Sequence, residues 1–145
     1  MYEAYREYFG FMAQLGELLD RLTELAKEKA AAVRRDDLLA VDNCMKQEQA
    51  LSLSLRTMDK KREKLLAGIG LKGVPLSELA QRCPEELRKE ARDASEELRT
   101  RYLLYRSAAD VARTTLECNL HQIERMLADE ADGSVGGGTI ADIRA

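Results

Sequence analysis

The sequence predicts an all-α fold: an elongated antiparallel helical hairpin plus a long third helix, coiled-coil-like, with a flexible glycine-rich C-terminal tail. Prolines are rare, only Pro75 and Pro84, and most glycines fall in a central cluster or near the C-terminus. Between these breakers lie stretches rich in Ala, Leu, Glu, Lys and Arg, which enter helices at little cost. Apolar residues recur there at steps of three and four, with no strand-like alternation.

The length and composition fit one helical domain, which we place at residues 1–131, followed by a tail at 132–145. Of the 145 residues, 45% are apolar and 34% are charged, which is typical of a folded protein rather than a disordered one. The run Gly136-Gly137-Gly138 in the tail is typical of a flexible linker. The net charge of −3 gives no reason to expect nucleic acid as a partner, since phosphates need a basic patch.

The first helix is expected at about residues 2–34, where an apolar stripe recurs at helical spacing. Tyr8 and Phe11 fall off this stripe, so they are candidates for a contact surface or a weak membrane-interface patch. The stripe comprises Tyr2, Tyr5, Phe9, Met12, Leu15, Leu19, Leu22, Ala26, Ala30 and Val33.

Residues 34–37 predict a tight turn that makes a helical hairpin. Arg34 and Arg35 suit the negative end of the first helix, and Asp36 or Asp37 can cap the second. The alternative is one continuous helix, since neither glycine nor proline interrupts the chain here.

The second helix is expected at about residues 37–68, ending at Gly68 to Gly70 because glycine readily adopts the left-handed cap conformation. Its near-heptad stripe contains two polar residues, Glu48 and Arg62, of the kind that fix register at a cost in stability. The stripe comprises Leu38, Val41, Cys44 or Met45, Glu48, Leu51, Leu55, Met58, Arg62, Leu65 and Ile69.

The third helix is expected at about residues 84–131, after a connector in which Ser77 is expected to cap a short turn. Pro84 suits its first position, and Glu85 and Glu86 suit its first turn. Its stripe is small in the middle and bulky at the end, and comprises Leu87, Ala91, Ala94, Leu98, Tyr102, Tyr105, Ala109, Ala112, Leu116, Leu120, Ile123 and Leu127.

The length of the third helix predicts an unpaired end. It would span about 70 Å, against about 50 Å for each of the others. If it packs antiparallel to the second helix, its partner ends near Cys118. The remaining turns carry Leu120, Ile123, Met126 and Leu127 on one side, and an uncovered apolar stripe predicts a partner surface. The alternatives are that the helix bends back, or that two copies pair there as a homodimer.

Enzymatic activity, cofactors and metals are not expected, because convergent polar side chains are scarce. His121 is the single histidine, and the cysteines Cys44, Cys83 and Cys118 lack the spacing of zinc ligands. The segment from Gly68 to Gly73 does not have the sequence of a phosphate-binding loop.

The N-terminus and the hydropathy pattern predict a cytoplasmic protein without stable membrane insertion. Glu3 and Glu7 stand where a signal peptide would need a basic and then an apolar run. No apolar stretch approaches the roughly 20 residues that span a bilayer. The widely spaced cysteines fit reduced cytosolic thiols better than a disulfide framework.

Several segments, in their order and spacing, also carry a family resemblance. They are Asp36-Asp37-Leu38-Leu39 after an apolar helix, Glu48, Ala50 and Leu51 in a helix that ends with residues 62–71, and Leu76-Ser77-Glu78-Leu79 before a long last helix. In this layout, over about residues 10–130, the chain resembles the FlgN family of flagellar type III export chaperones.

The resemblance implies binding of hook-associated (hook–filament junction) proteins, prevention of their premature polymerisation, and delivery to the export gate and its ATPase apparatus. It also implies that the C-terminal region contacts the client, with a client helix docked in a groove. Family members can carry a C-terminal aromatic residue that helps gate docking, whereas here none follows Tyr105. The client-binding candidates are Leu116, Leu120, Ile123, Met126 and Leu127, with Ile140 and Ile143 of the tail as secondary candidates.

Two alternative functions stay open from the sequence. The chaperone of the filament-cap protein is also small and helical. A structural coiled-coil protein without a client would instead use Glu48 and Arg62 to set the register between identical chains. A chaperone should bind a client through its C-terminal end, whereas a coiled-coil protein should self-associate along the whole stripe.

Overall fold

The computed structural model describes residues 2–132 and has the all-α fold that the sequence predicts. Its long helices are α1 (Glu3–Arg34), α2 (Leu38–Gly68) and α4 (Arg88–Asp132), and α3 (Leu79–Arg82) is a single turn. Short 3-10 turns at Leu76–Glu78 and Glu85–Leu87 flank α3. The tail candidates Ile140 and Ile143 lie outside the described residues. Within residues 2–132, no helix is both long and apolar enough to cross a bilayer.

Helix α1 is the centre of the bundle, because α2 and α4 both pack on it and touch each other little. Helix α2 is antiparallel to α1: Lys29 pairs with Glu48, and Tyr8 near the start of α1 bonds Arg62 near the end of α2. Helix α4 is parallel to α1. Arg6 near the start of α1 pairs with Glu90 near the start of α4, and alanines further along the two helices contact each other. The expectation that the third helix packs on the second is therefore wrong.

The central position of α1 also corrects the prediction for Tyr8 and Phe11. These side chains are 1% and 3% exposed, so they are core residues and not a contact surface. The Tyr8 hydroxyl accepts a hydrogen bond from Arg62 Nε at 3.3 Å, and Lys61 Nζ lies 5.8 Å from the centre of the Phe11 ring. Because α1 is covered from two sides, its buried face is wider than a single stripe.

A tight turn joins α1 to α2, so the continuous-helix alternative is excluded. Asp36 adopts a left-handed conformation, with φ 57°. Its N–H donates to the Val33 carbonyl at 3.1 Å, and the Asp37 N–H donates to the Ala32 carbonyl at 3.0 Å, which closes the end of α1. Asp37 Oδ1 then accepts a hydrogen bond from the Ala40 N–H at 3.1 Å and caps α2.

The end of α2 uses the same closure with glycine in the left-handed position. Gly70 has φ 74°, and the Leu71 N–H donates to the Leu66 carbonyl at 2.9 Å. Both leucine side chains are buried, and they join the core at this end of the bundle. The apolar contact beneath the cap therefore anchors the connector against α1.

The connector corrects the expectation for Ser77. It lies inside the 3-10 turn that begins at Leu76, not before it, and its hydroxyl makes no capping bond within the described chain. Pro84 precedes the next 3-10 turn, which continues directly into α4 at Arg88.

The core changes from large to small side chains along α1. At the end that carries the connector, here called the base, the largest fully buried side chains include Tyr8, Met12, Leu79 and Leu87. Towards the α1–α2 turn the contact between α1 and α4 consists of Ala26, Ala30, Ala108 and Ala112. Alanine side chains are small, so less apolar surface is buried between α1 and α4 here than at the base.

Candidate functional site

The candidate site is the end of α4, which continues past the α1–α2 turn. Asn119 Nδ2 donates a hydrogen bond to Asp36 Oδ1 at 3.3 Å, so Asn119 lies level with the turn. Residues 120–132 extend beyond it by about 20 Å. We call this segment the overhang. The prediction that the third helix outruns its partner near Cys118 holds, although the partner is α1 rather than α2.

The face of α4 that packs on α1 remains apolar where it continues onto the overhang. Ala91, Leu98 and Ala112 on this face are 0%, 8% and 1% exposed. The next positions at helical spacing form what we call the distal strip, which comprises Leu116, Leu120, Ile123 and Leu127. The first three of these are 39%, 38% and 41% exposed. The strip is uncovered because α1 ends at Arg34, not because α4 becomes polar.

The overhang also carries the predicted site residue Met126 and the single histidine, His121, beside the strip. Met126 is 68% exposed and adds apolar surface at its edge. His121 is exposed, and its Nδ1 lies 4.0 Å from Glu124 Oε2. Among residues 2–132 there is no cluster of side chains that could hold a metal ion, and His121 has only this surface contact.

Leu38 and Leu39 belong to the same end of the molecule, and sequence reasoning missed them as site candidates. The prediction placed Leu38 in the buried stripe of α2, but the two side chains are 78% and 81% exposed. The reason is that α2 begins at the turn, where α1 has already ended, and burial on α1 starts only at Val41. No signal in the sequence separated them from core positions, since consecutive apolar residues also occur on buried helix faces.

The two polar residues of the α2 stripe, Glu48 and Arg62, both interact with other residues of the chain. Glu48 Oε1 lies 2.8 Å from Lys29 Nζ, with side chains only 21% and 19% exposed. Arg62 bonds the buried Tyr8 hydroxyl. These contacts within the chain account for both polar residues without a register-setting role.

The cysteines differ between the two ends of the bundle. Cys44 and Cys83 are buried, and burial raises the pKa of both thiols. Cys118, next to the residue that marks the start of the overhang, is exposed. It is therefore a natural chemical reporter for this end of α4.

A comparison with protein families identifies the family of the chain. The family model described as FlgN protein matches residues 1–128, which includes the distal strip. Comparisons with curated proteins and with solved structures find no match. Because the family match covers most of the chain, the chain belongs to the FlgN family of flagellar export chaperones.

Proposed function

We propose that this chaperone binds an amphipathic helix of a hook-associated protein along the distal strip, in the cytoplasm. The observation that carries the proposal is the continuation of the α1-packing face of α4 beyond the end of α1. A client helix would take the place that α1 occupies further down, with apolar anchors at three- and four-residue spacing. Covering the client's apolar face would keep it from polymerising until it reaches the export gate.

A comparison of the free energy of apolar burial with the cost of association indicates that the client site is larger than the distal strip. Full burial of a leucine contributes about 1.5–3 kcal/mol, and a side chain that is already partly covered contributes less. Four such residues would barely offset an association cost of about 4–15 kcal/mol. Met126, Leu38 and Leu39 are 68%, 78% and 81% exposed at the same end, so we include them in the site. The tail residues Ile140 and Ile143 stay secondary candidates.

Several finer points belong to the same proposal. The arrangement needs no catalytic step and no cofactor, because binding and release of a helix suffice. Delivery to the export gate and its ATPase apparatus is supported by the family alone, and this chain offers no aromatic residue after Tyr105 for gate docking. The filament-cap protein is the alternative client. Self-pairing of the exposed strip into a homodimer would compete with client binding.

Gel filtration with light scattering tests the proposal. The wild-type chain should form a stoichiometric complex with a hook-associated protein of the same genome. Leu120→Asp with Ile123→Asp should abolish the complex while leaving helicity and melting nearly unchanged, since both side chains lie outside the core. The matched control is Leu53→Asp with Leu103→Asp, which changes exposed leucines away from the overhang and should leave the complex intact.

The outcomes separate the alternatives. A collapse in melting temperature of the strip variant would show that these residues are core. No complex, together with an elongated self-assembly, would favour the structural coiled-coil function. A complex with the filament-cap protein alone would move the assignment to that client.

A further inference from the structure

We propose that a groove at the base of the bundle binds an acidic polypeptide segment, separately from the client. The groove has a volume of about 600 Å³ and lies between the connector and the first turns of α4. Leu76 and Ala80 of the connector supply apolar lining on one side. The α4 side consists of Arg88, Arg92, Ser95 and Arg99, together with the acid Glu96.

The arginines of the groove share one face of α4 and form no ion pair within the described residues. Steps of four, three and four residues lead from Arg88 through Arg92 and Ser95 to Arg99, which is helical spacing. None of the three arginines makes an ion pair or hydrogen bond with another residue of the described range 2–132. On the same helix Arg101, by contrast, pairs with Asp20 and Glu97.

This arrangement costs stability unless an anion is bound. Arg88 and Arg92 are like charges four residues apart, a pairing that destabilises a helix. The Ser95 hydroxyl between Arg92 and Arg99 is buried and forms no hydrogen bond within residues 2–132. A buried hydroxyl without a partner lowers the stability of the fold. A carboxylate in the groove would accept from both the hydroxyl and the guanidinium groups.

The chemistry of the groove favours an acidic protein segment over a membrane or a nucleic acid. Leu76 and Ala80 give it an apolar wall, which suits side chains of a peptide and not a phosphate backbone. Glu78, Glu85 and Glu86 are exposed on the adjoining turns and would repel an extended anionic surface. Within the groove itself, three arginines face one glutamate, so carboxylates at helical spacing fit it.

The groove and the distal strip lie at opposite ends of α4. Arg92 and Leu120 are separated by about 40 Å along the helix. One chaperone can therefore hold a client helix at the overhang and an acidic partner at the base at the same time. Such a second contact would let a loaded chaperone be recognised without releasing its client.

Fluorescence anisotropy with a designed peptide tests the inference. The probe is a labelled helical peptide of about 18 residues, with glutamates at steps of four, three and four and leucines beside them. The test variant is Arg92→Glu with Arg99→Glu. The matched control is Lys60→Glu with Lys64→Glu on α2, which makes the same change in net charge outside the groove. The same peptide with glutamine in place of glutamate controls for the carboxylates.

We expect the groove variant to bind the peptide at least tenfold more weakly than wild type, with the control variant within about twofold. The glutamine peptide should also bind at least tenfold more weakly. The melting temperature of the groove variant should change little, because Arg92→Glu relieves the repulsion with Arg88 but adds one with Glu96, and both changed side chains are exposed. Equal losses in both variants, no binding by wild type, or arginine-dependent binding to anionic phospholipid vesicles instead of the peptide would overturn the inference.

Binding at each of the two sites should be lost without affecting binding at the other. The groove variant should still form the client complex, because the distal strip is untouched. The strip variant should still bind the acidic peptide.

Discussion

The two ends of α4 carry the same kind of apolar face in different surroundings. At the base, Ala91 and Leu98 are 0% and 8% exposed, whereas Leu120 and Ile123 on the overhang are 38% and 41% exposed. Amino-acid composition does not distinguish these two regions, since both lie on the same apolar stripe of α4. The difference is that α1 ends before α4 does. An exposed apolar surface therefore arises from unequal helix lengths, without any special motif.

The comparison also assigns different roles to the two ends. The base contains the large buried side chains, including Tyr8, Met12 and Leu87, and so contributes most of the apolar burial that stabilises the fold. Between the ends, the contact of α1 with α4 is made by alanines. The overhang adds little to the fold itself, which is why we propose a partner role for its apolar residues.

The largest expected effect is a difference in stability between matched truncations at the two ends. Leu87→Ala removes a side chain that is 1% exposed and should lower the free energy of unfolding by about 2–5 kcal/mol. Leu120→Ala should lower it by less than about 0.5 kcal/mol, as for surface positions. Urea unfolding followed by circular dichroism measures both. Similar losses for the two variants would show that the overhang is part of the core.

The next effect is a difference in thiol reactivity along the bundle. Cys118 should react with a maleimide at least tenfold faster than Cys83 and Cys44 under native conditions. Burial shields the latter two and raises the pKa of their thiols, which lowers the fraction of reactive thiolate. Mass spectrometry of the labelled protein follows each site. Unfolding in urea should equalise the rates, and equal rates without urea would contradict the assigned burial.

A smaller effect is expected at the turn where α1 ends. Asp37→Ala removes the cap on the Ala40 N–H and should cost about 1 kcal/mol of stability. Asp59→Ala in the exposed middle of α2 is the matched control and should change stability by less than about 0.5 kcal/mol. Thermal melts of both variants measure the change in stability. Equal melting temperatures would mean that the cap does not hold the start of α2.

Periodicity predicted the all-α class and the helical hairpin, because a long apolar stripe and a charged turn are local signals. It also predicted that the last helix outruns its partner, from relative lengths alone. It did not predict that α1 lies at the centre. A stripe shows which face of a helix is apolar, but it does not show how many neighbours cover that helix. For this reason Tyr8 and Phe11 were wrongly placed outside the core.

The site was predictable to a similar extent. Leu116, Leu120, Ile123 and Leu127 stand out as the end of a stripe, and the first three are exposed in the structure. Leu38 was placed in the core because its spacing fits the α2 stripe, although α1 ends before it can cover that position. Arg88, Arg92 and Arg99 were overlooked, since charges on a helix usually mark a solvated face. Only the fold shows that the connector turns them into one side of a groove.

Hydrogen exchange of the chaperone with and without a hook-associated client tests the central claim most directly. Amides of residues 116–132 should exchange fast in the free protein, because no other helix covers the overhang, and should become strongly protected in the complex. The base, from Arg88 to Leu98, should exchange slowly in both states. Client-induced protection confined to the base, with residues 116–132 unchanged, would contradict the claim that the overhang holds the client.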